Sequence, residues 1–322
     1  MNISRRNFVA ASGLAAATAA LAGCGTSSSS SSGSSAYKIG VVQLTEHSAL
    51  DASNNGFVEA LNNSGLDVSI DQQNAQNDQS ACQTIASKFV GDGVNLIYAI
   101  ATPAAQAAAA ATTDIPIVGC AITDYAASGL VKDNDKPGGN VTGASDLTPV
   151  AEQLQMMQKV LPNVKKVGLL YCSAESNSDV QIKTAKEELD ALGLTYEEYA
   201  VSSSNEIQSV VESAVGKVDA LYSPTDNTIA AGAAQVGQIC KENKLPFITG
   251  EEGMCEAGGL FTLSINYTDL GKLAGEMAVK ILKGEAKPAD MAIEHLDSSK
   301  LVVVKNEEMA AAIGVDLSAL GA

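Results

Sequence analysis

Between residues 37 and 265, short apolar runs alternate with Ala-rich segments of helical period, and the alternation occurs twice. Lys38–Gln43 (KIGVVQ) is an apolar run, and Lys166–Tyr171 (KVGLLY) has the same pattern 128 positions later. Gly65-Leu66 closes a helical stretch in the first copy, and Gly193-Leu194 closes one in the second. Asn95–Tyr98 and Asp219–Tyr222 are further apolar runs, each entering a turn that contains Pro and Thr. Ile115–Val118 matches Leu245–Ile248 at an offset of 130. Ala104–Ala111 and Thr228–Lys241 read as helices between them. Runs that are apolar on both faces predict parallel strands covered on both sides. The doubled pattern predicts an α/β protein of two doubly wound parallel-sheet lobes; one larger doubly wound sheet is the alternative.

After the second copy, Leu260–Ile265 reads as a strand and Asp269–Leu282 as a helix, with Leu270, Leu273, Met277 and Ile281 on one face. Ala292–Glu294 and Leu301–Val304 are two more strands. This tail is expected to cross to the first lobe and back, which makes a multi-crossover hinge. The expected partition is 37–145 plus about 266–292 for lobe 1, and 146–265 plus about 293–322 for lobe 2.

The start of the chain has a different character. Ser4-Arg5-Arg6-Asn7-Phe8 precedes a mild apolar stretch that ends in Leu21-Ala22-Gly23-Cys24. A charged start, a short apolar middle and small residues at the end make a secretory signal over 1–23. The paired Arg resembles a twin-arginine signal, with general export as the alternative. Leu-Ala-Gly-Cys resembles a lipobox, in which Cys24 is lipidated and becomes the new N-terminus. Gly25–Ser35 is nearly all Ser and Gly, so 24–36 reads as a lipidated Cys and a flexible tether. The expected location is the outer face of the cytoplasmic membrane.

Charge and composition narrow the function. Thirty-seven acids face 20 bases, a net charge of −17, and loss of Arg5 and Arg6 with the signal takes it to −19. Such a surface excludes nucleic acid and attachment to anionic lipid through a basic face. There is no Trp and there are two His, which leaves little for a His-rich metal site. Five Cys remain beside Cys24, without CxxC spacing and mostly inside apolar runs. They read as small buried hydrophobes, with a redox pair or metal site as the alternative; no metal and no cofactor is expected.

In open α/β sheets, ligands sit beyond the carboxyl ends of the strands. Those segments are Gln43–Asp51, Ala101–Gln106 and Thr123–Tyr125 in lobe 1. In lobe 2 they are Tyr171–Ser178, Thr225–Thr228 and Gly250–Met254. They carry Gln43, Glu46, His47, Leu50, Thr102, Pro103, Thr123, Asp124, Tyr171, Glu175, Asn177, Ser178, Asp226 and Asn227. Facing lobes would bring them to one cleft. No GxSxG elbow, P-loop or GxGxxG occurs there. His47 reads as a positioning residue, since no nucleophile accompanies it, and His295 as a surface or edge residue. A Glu46/Glu175 acid–base pair has nothing that fixes its spacing.

Taken together, Glu46–Asp51 (EHSALD), Gln73–Gln76 (QNAQ), Ala99–Gln106 (AIATPAAQ), Pro137–Gly143 (PGGNVTG), Glu175–Ser178 (ESNS) and Thr225–Thr228 (TDNT) resemble the tryptophan/tyrosine substrate-binding proteins of ABC importers. The resemblance spans nearly the whole mature chain. It implies the type I periplasmic-binding-protein fold and no enzymatic activity. It also implies a monomer that captures a small solute, an aromatic amino acid, between its lobes and delivers it to a permease and its ATPase. Asp226 is then the first choice to face the ammonium, with Glu46 or Glu175 second. Helices opened at Thr102 and at Glu175–Ser178 would receive the carboxylate. Asn177, Asn227 and Asn266 would add neutral hydrogen bonds, and Leu50, Tyr125 and Tyr171 would wall an apolar pocket. Two positions depart from the family pattern: Tyr125 stands where Pro is common, and Cys172 where Asn is common. A sensor ectodomain for another solute and a lipid-anchored enzyme on the same lobes are the alternative functions.

Overall fold

The computed structural model describes residues 37–321. The signal, Cys24 and the tether, expected over 1–36, lie outside the described residues. Within them, each apolar copy forms its own six-stranded sheet, and no strand is shared, so the single-sheet alternative fails.

The first sheet contains β1 (Tyr37–Gln43), β2 (Val68–Asn74), β3 (Leu96–Ile100), β4 (Ile117–Ile122) and β5 (Val141–Ser145). The second contains β6 (Lys166–Cys172), β7 (Thr195–Val201), β8 (Ala220–Ser223), β9 (Phe247–Thr249) and β10 (Phe261–Ser264). Their order is the same in both, β2-β1-β3-β4-β5 and β7-β6-β8-β9-β10, and every pairing among them is parallel. The repeat read along the sequence is therefore a repeat of topology. Central strands β3, β4 and β5 are buried throughout, whereas β2, at the edge, is only partly buried. Burial on both faces explains why the central runs lack polar alternation.

Helices α1 (Ser48–Asn63), α2 (Gln79–Asp92) and α3 (Thr102–Ala111) belong to lobe 1. Lobe 2 holds α4 (Val150–Val160), α5 (Ser176–Ala191), α6 (Ile207–Ala214), α7 (Asn227–Ala231), α8 (Ala233–Asn243) and α9 (Glu252–Ala257). Asp78 caps α2 by accepting from the N–H groups of Ser80 and Ala81. Each lobe has a separate apolar core, one around Phe57, Phe89 and Tyr98, the other around Tyr222, Phe247 and Phe261.

The chain crosses between the lobes after β5, after β10, and again before β12 (Val302–Lys305), which pairs antiparallel with β10. Helix α10 (Tyr267–Leu282) returns to lobe 1 and packs along α1. The last crossing falls later than about 293. β11 (Glu294–His295) pairs with Ala144 and Ser145 of β5, so these two residues extend the first sheet. α11 (Glu307–Ile313) closes on lobe 2, where Met309, Ala310 and Ile313 join the second core.

The α1–α10 contact is unusually close because glycines line it. A Cβ on Gly56 would overlap the Thr268 carbonyl oxygen, and one on Gly271 would overlap that of Ser53. Both obstacles are backbone, which cannot rotate away. Gly271→Ala is expected to force the helices apart and cost about 1–3 kcal/mol. Gly91→Ala, on a helix with nothing near the new methyl, should stabilise by about 0.5–1 kcal/mol. Paired thermal or urea melts check both signs.

Candidate functional site

The strand ends of the two sheets face each other across a narrow polar void. Its lobe 1 side is formed by His47, Ala49 and Leu50 at the start of α1, by Ala121 and Thr123 at the end of β4, and by Asp146 on the first crossing. Lobe 2 supplies Asn177 from α5, Thr225 to Asn227 and Ala230 around α7, and Glu251 before α9. Tyr267, the first residue of α10, completes it. The lobes are shut: the void leaves about 10 Å³ for a water, room for about one molecule.

Backbone irregularity aims these residues. The register of β4 against β5 shifts between Gly119 and Ile122, and Ala121 there adopts φ +54°. A bulge of this kind redirects a strand end, here toward the cleft. Ala101, at the end of β3, is held at φ +82°, a region alanine rarely occupies.

Hydrogen bonds across the cleft tie the lobes. Asn77 Nδ2 donates to Thr228 Oγ1 (3.1 Å), Gln79 Nε2 to the Ala174 carbonyl (3.2 Å), and Gln181 Nε2 to Thr123 Oγ1 (3.3 Å). His47 Nε2 lies 3.3 Å from Asn227 Oδ1, and Gln106 Nε2 3.4 Å from Ser176 Oγ. Gly253 has no side chain because a Cβ there would strike Ser48 of the other lobe.

Four buried carboxyls differ in how fully they are satisfied. Glu175 accepts from the backbone and side chain of both Asn227 and Thr228, and from Asn177 Nδ2. Asp226 accepts from the Cys172 N–H and the Ser178 hydroxyl, both at 2.6 Å, and caps α7 through the Ile229 N–H at 2.8 Å. Glu251 caps α9 through the N–H groups of Gly253 and Met254. Asp146 accepts only hydroxyls, Tyr267 at 3.0 Å and Thr123 at 3.4 Å. None of the four is in an ion pair among the described residues, and no Lys or Arg lines the void.

Burial without a cation raises Asp146, Asp226 and Glu251. Asp146 is pushed up to about 6 and Glu251 to about 7, in each case mainly by loss of water. Asp226 is raised by burial and by the nearby Glu175 charge. His47 is lowered by burial, against the pull of Asn227, Glu175 and Asp51. Asn177 Oδ1 and His47 Nδ1 are buried with no hydrogen-bond partner.

Of the residues expected from the sequence, Leu50, Thr123, Asn177, Asp226 and Asn227 line the void, with Glu175 and Ser178 directly behind them. The others are placed elsewhere. Gln43 donates to Asp51, and with the exposed Glu46 it faces a separate groove beside β2. Thr102 and Pro103 open α3, where Pro needs no N–H partner; both are buried, and the Thr102 hydroxyl has no partner. Asp124 caps its own turn through the N–H groups of Ala126 and Ala127. Asn266 is exposed and caps α10. Tyr171 does not wall the cleft, since its hydroxyl donates to Glu198 on β7. Tyr125 is fully buried in the lobe 1 core beneath Gly119 and Gly143, its hydroxyl on the Ala144 carbonyl. Asp146, Thr225, Glu251 and Tyr267 were not singled out by the sequence as site residues. Asp146 directly follows β5, a strand the sequence pattern did not predict, and Tyr267 opens α10 just past the strand expected over Leu260–Ile265. Cys82, Cys120, Cys172, Cys240 and Cys255 are buried and free, and no group of acids, His and Cys among the described residues has metal-binding geometry.

The comparisons agree with this architecture. The family model for ABC transporter substrate binding proteins matches residues 38–319. The chain belongs to that family. It is a substrate-binding protein of an ABC transporter, with the type I periplasmic-binding-protein fold. It is similar to the tyrosine-binding protein of Clostridioides difficile (strain R20291), at 42% identity over 269 residues, 82% of this chain and 78% of that one. Its fold matches an ABC domain from Streptococcus pneumoniae in complex with L-Trp, with TM-score 0.85 and 41% identity over 88% of this chain and 97% of the other. A ligand-free, open substrate binding protein from Clostridium difficile is 45% identical over 87% of this chain and 95% of that one, yet overlays with TM-score 0.66. Higher identity with poorer overlay accords with the shut lobes seen here.

The raised acids give a stability prediction. Their folded values lie above the unfolded carboxyl range, so the folded state binds extra protons between about pH 4 and pH 7. The stabilisation they give when protonated is lost as pH rises through that window. The protein without added solute should therefore melt at a higher temperature near pH 5 than near pH 8, checked by melting curves across that range.

Proposed function

We propose that the protein is the extracytoplasmic, lipid-anchored receptor of an ABC importer and that its solute is a free aromatic amino acid. One observation carries the reading: the cleft presents buried acceptors, Asp146, Asp226, Glu251 and the Asn177 amide oxygen, with no cationic side chain among its lining residues. A solute bearing an ammonium supplies both the missing charge and the missing N–H donors.

The other end of an amino acid needs donors. The N-terminus of α5, where Asn177 lines the void, offers backbone N–H groups to a carboxylate. Leu50, Ala121, Ala230 and Tyr267 give apolar surface for a side chain. The chain has no Trp, so aromatic stacking falls to Tyr or Phe. The Clostridioides difficile relative named for tyrosine and the Streptococcus pneumoniae structure with L-Trp support an aromatic solute.

Entry requires the lobes to part, which breaks the bridging hydrogen bonds of Asn77, Gln79, Gln106 and Gln181. Solute binding then restores closure. A lipid on Cys24 and the Ser/Gly tether would hold the body near the permease and its ATPase, which suits an envelope without an outer membrane. No residue set for turnover is evident among the described residues: His47, lowered by burial, is bonded to Asn227, and the residues lining the void include no Ser or Cys. The protein binds as a monomer, one solute per chain.

L-Tyrosine or L-tryptophan at a hundredfold excess over its dissociation constant should stabilise the protein by about 2.7 kcal/mol. A thermal-shift screen of the amino acids checks this. No shift with any aromatic amino acid would contradict the reading.

A further inference from the structure

The cleft's buried carboxyls are not equivalent, and their bonding separates structural acids from a receiving one. Each carboxylate oxygen pair has about four acceptor positions. Glu175 spends its capacity on five donors, and Asp226 on three short ones that tie β6, α5 and α7 together. Glu251 is committed to two backbone N–H groups that start α9. Asp146 alone bonds only to hydroxyls, which can rotate to other partners, and one of these lies at 3.4 Å. It is 5% exposed and lines the void. Facing the same void is the Asn177 amide oxygen, 3% exposed and without a donor. An acceptor with spare capacity and an orphaned acceptor, both buried, call for one small group with several N–H donors.

We infer that Asp146, oriented by the Tyr267 hydroxyl, is the principal anchor of the solute's ammonium, and that a proton held by the cleft's acids leaves when the ammonium arrives. The inference rests on the amino-acid reading above and names the residue and the proton exchange within it. Asp226 and Glu175 then serve to hold the lobe 2 wall in shape.

The groups facing Asp146 set the exchange. Burial raises Asp146, Asp146 in turn raises Glu251 of lobe 2 by charge, and the Cys120 thiol, Tyr125 and Tyr267 are neutral neighbours. Burial holds His47 below its usual value, and the other ionisable groups around the void, Asp226, Glu175 and the nearby Glu252, are all carboxyls. With no cation of its own, the shut cleft is relieved by a proton. An ammonium replaces it: the carboxyl O–H bond breaks, the proton passes to buffer, and the carboxylate accepts the ammonium N–H. Its location on a crossing lets Asp146 couple solute capture to the hinge.

Isothermal titration of the full chain with L-tyrosine and L-tryptophan near about pH 6, in buffers of different ionisation enthalpy, tests this. The wild-type heat should vary with buffer in the sense of proton release. Asp146→Asn should lose affinity by roughly a hundredfold or more, and should lose most of the proton release. Its melting temperature without added solute should be unchanged or higher near neutral pH, because a buried uncompensated charge has gone. If Asp146→Asn does not fold, Tyr267→Phe keeps the test sharp. Removing the hydroxyl that favours the charged form should move the pH midpoint of affinity upward. Wild-type binding with no buffer dependence, or unchanged affinity in Asp146→Asn, overturns the assignment while leaving the amino-acid reading in place. An unmoved midpoint in Tyr267→Phe likewise overturns it. Failure of the wild type to bind either amino acid overturns both.

Discussion

Four carboxyls are buried between two lobes without a single protein cation among the residues lining the void. Desolvating even one unpaired charge is costly, and several placed together repel. The chain meets that cost in two ways. Glu175 and Asp226 are wrapped in hydrogen bonds from α5, α7 and the end of β6, and that network gives the lobe 2 wall its shape. Asp146 and Glu251 keep pKa values near neutrality, so protons can relieve them. The same arrangement makes a donor-rich, positively charged solute the natural occupant.

The fold makes this placement possible. Two copies of one β/α unit bring their strand ends face to face, so polar residues unsuited to either core collect at the seam. Three crossings keep the copies connected, and Asp146 and Tyr267 sit at the entry to and exit from the first two of them. On lobe 1, α1 and α10 approach through glycines, so the helix that follows the second crossing is locked onto the lobe. The movable part is thus the seam, where bonds are few and made by amide side chains.

Much of this was legible in the sequence. The 128-residue repeat gave two lobes, and uninterrupted apolar runs gave parallel sheets. The strand ends gave Leu50, Thr123, Asn177, Asp226 and Asn227, which do line the void. Side-chain direction was not legible. Tyr171 points along its sheet to Glu198, and Tyr125 turns under two glycines of its own lobe. Both lie in strand-end segments, yet a local pattern does not say which face a side chain takes. Asp146 and Glu251 were missed for a related reason. They lie beyond strand ends, but their importance comes from what surrounds them after the lobes close. The short β11 was placed one lobe too late because two residues carry no period.

The central claim is that this cleft is built for a small solute with an ammonium group. Native mass spectrometry of the protein purified from its own cells, followed by identification of the released solute, tests it most directly. The account predicts one amine-bearing molecule per chain, with the mass of an aromatic amino acid. A co-purified sugar, or an anion without an amine, would contradict it.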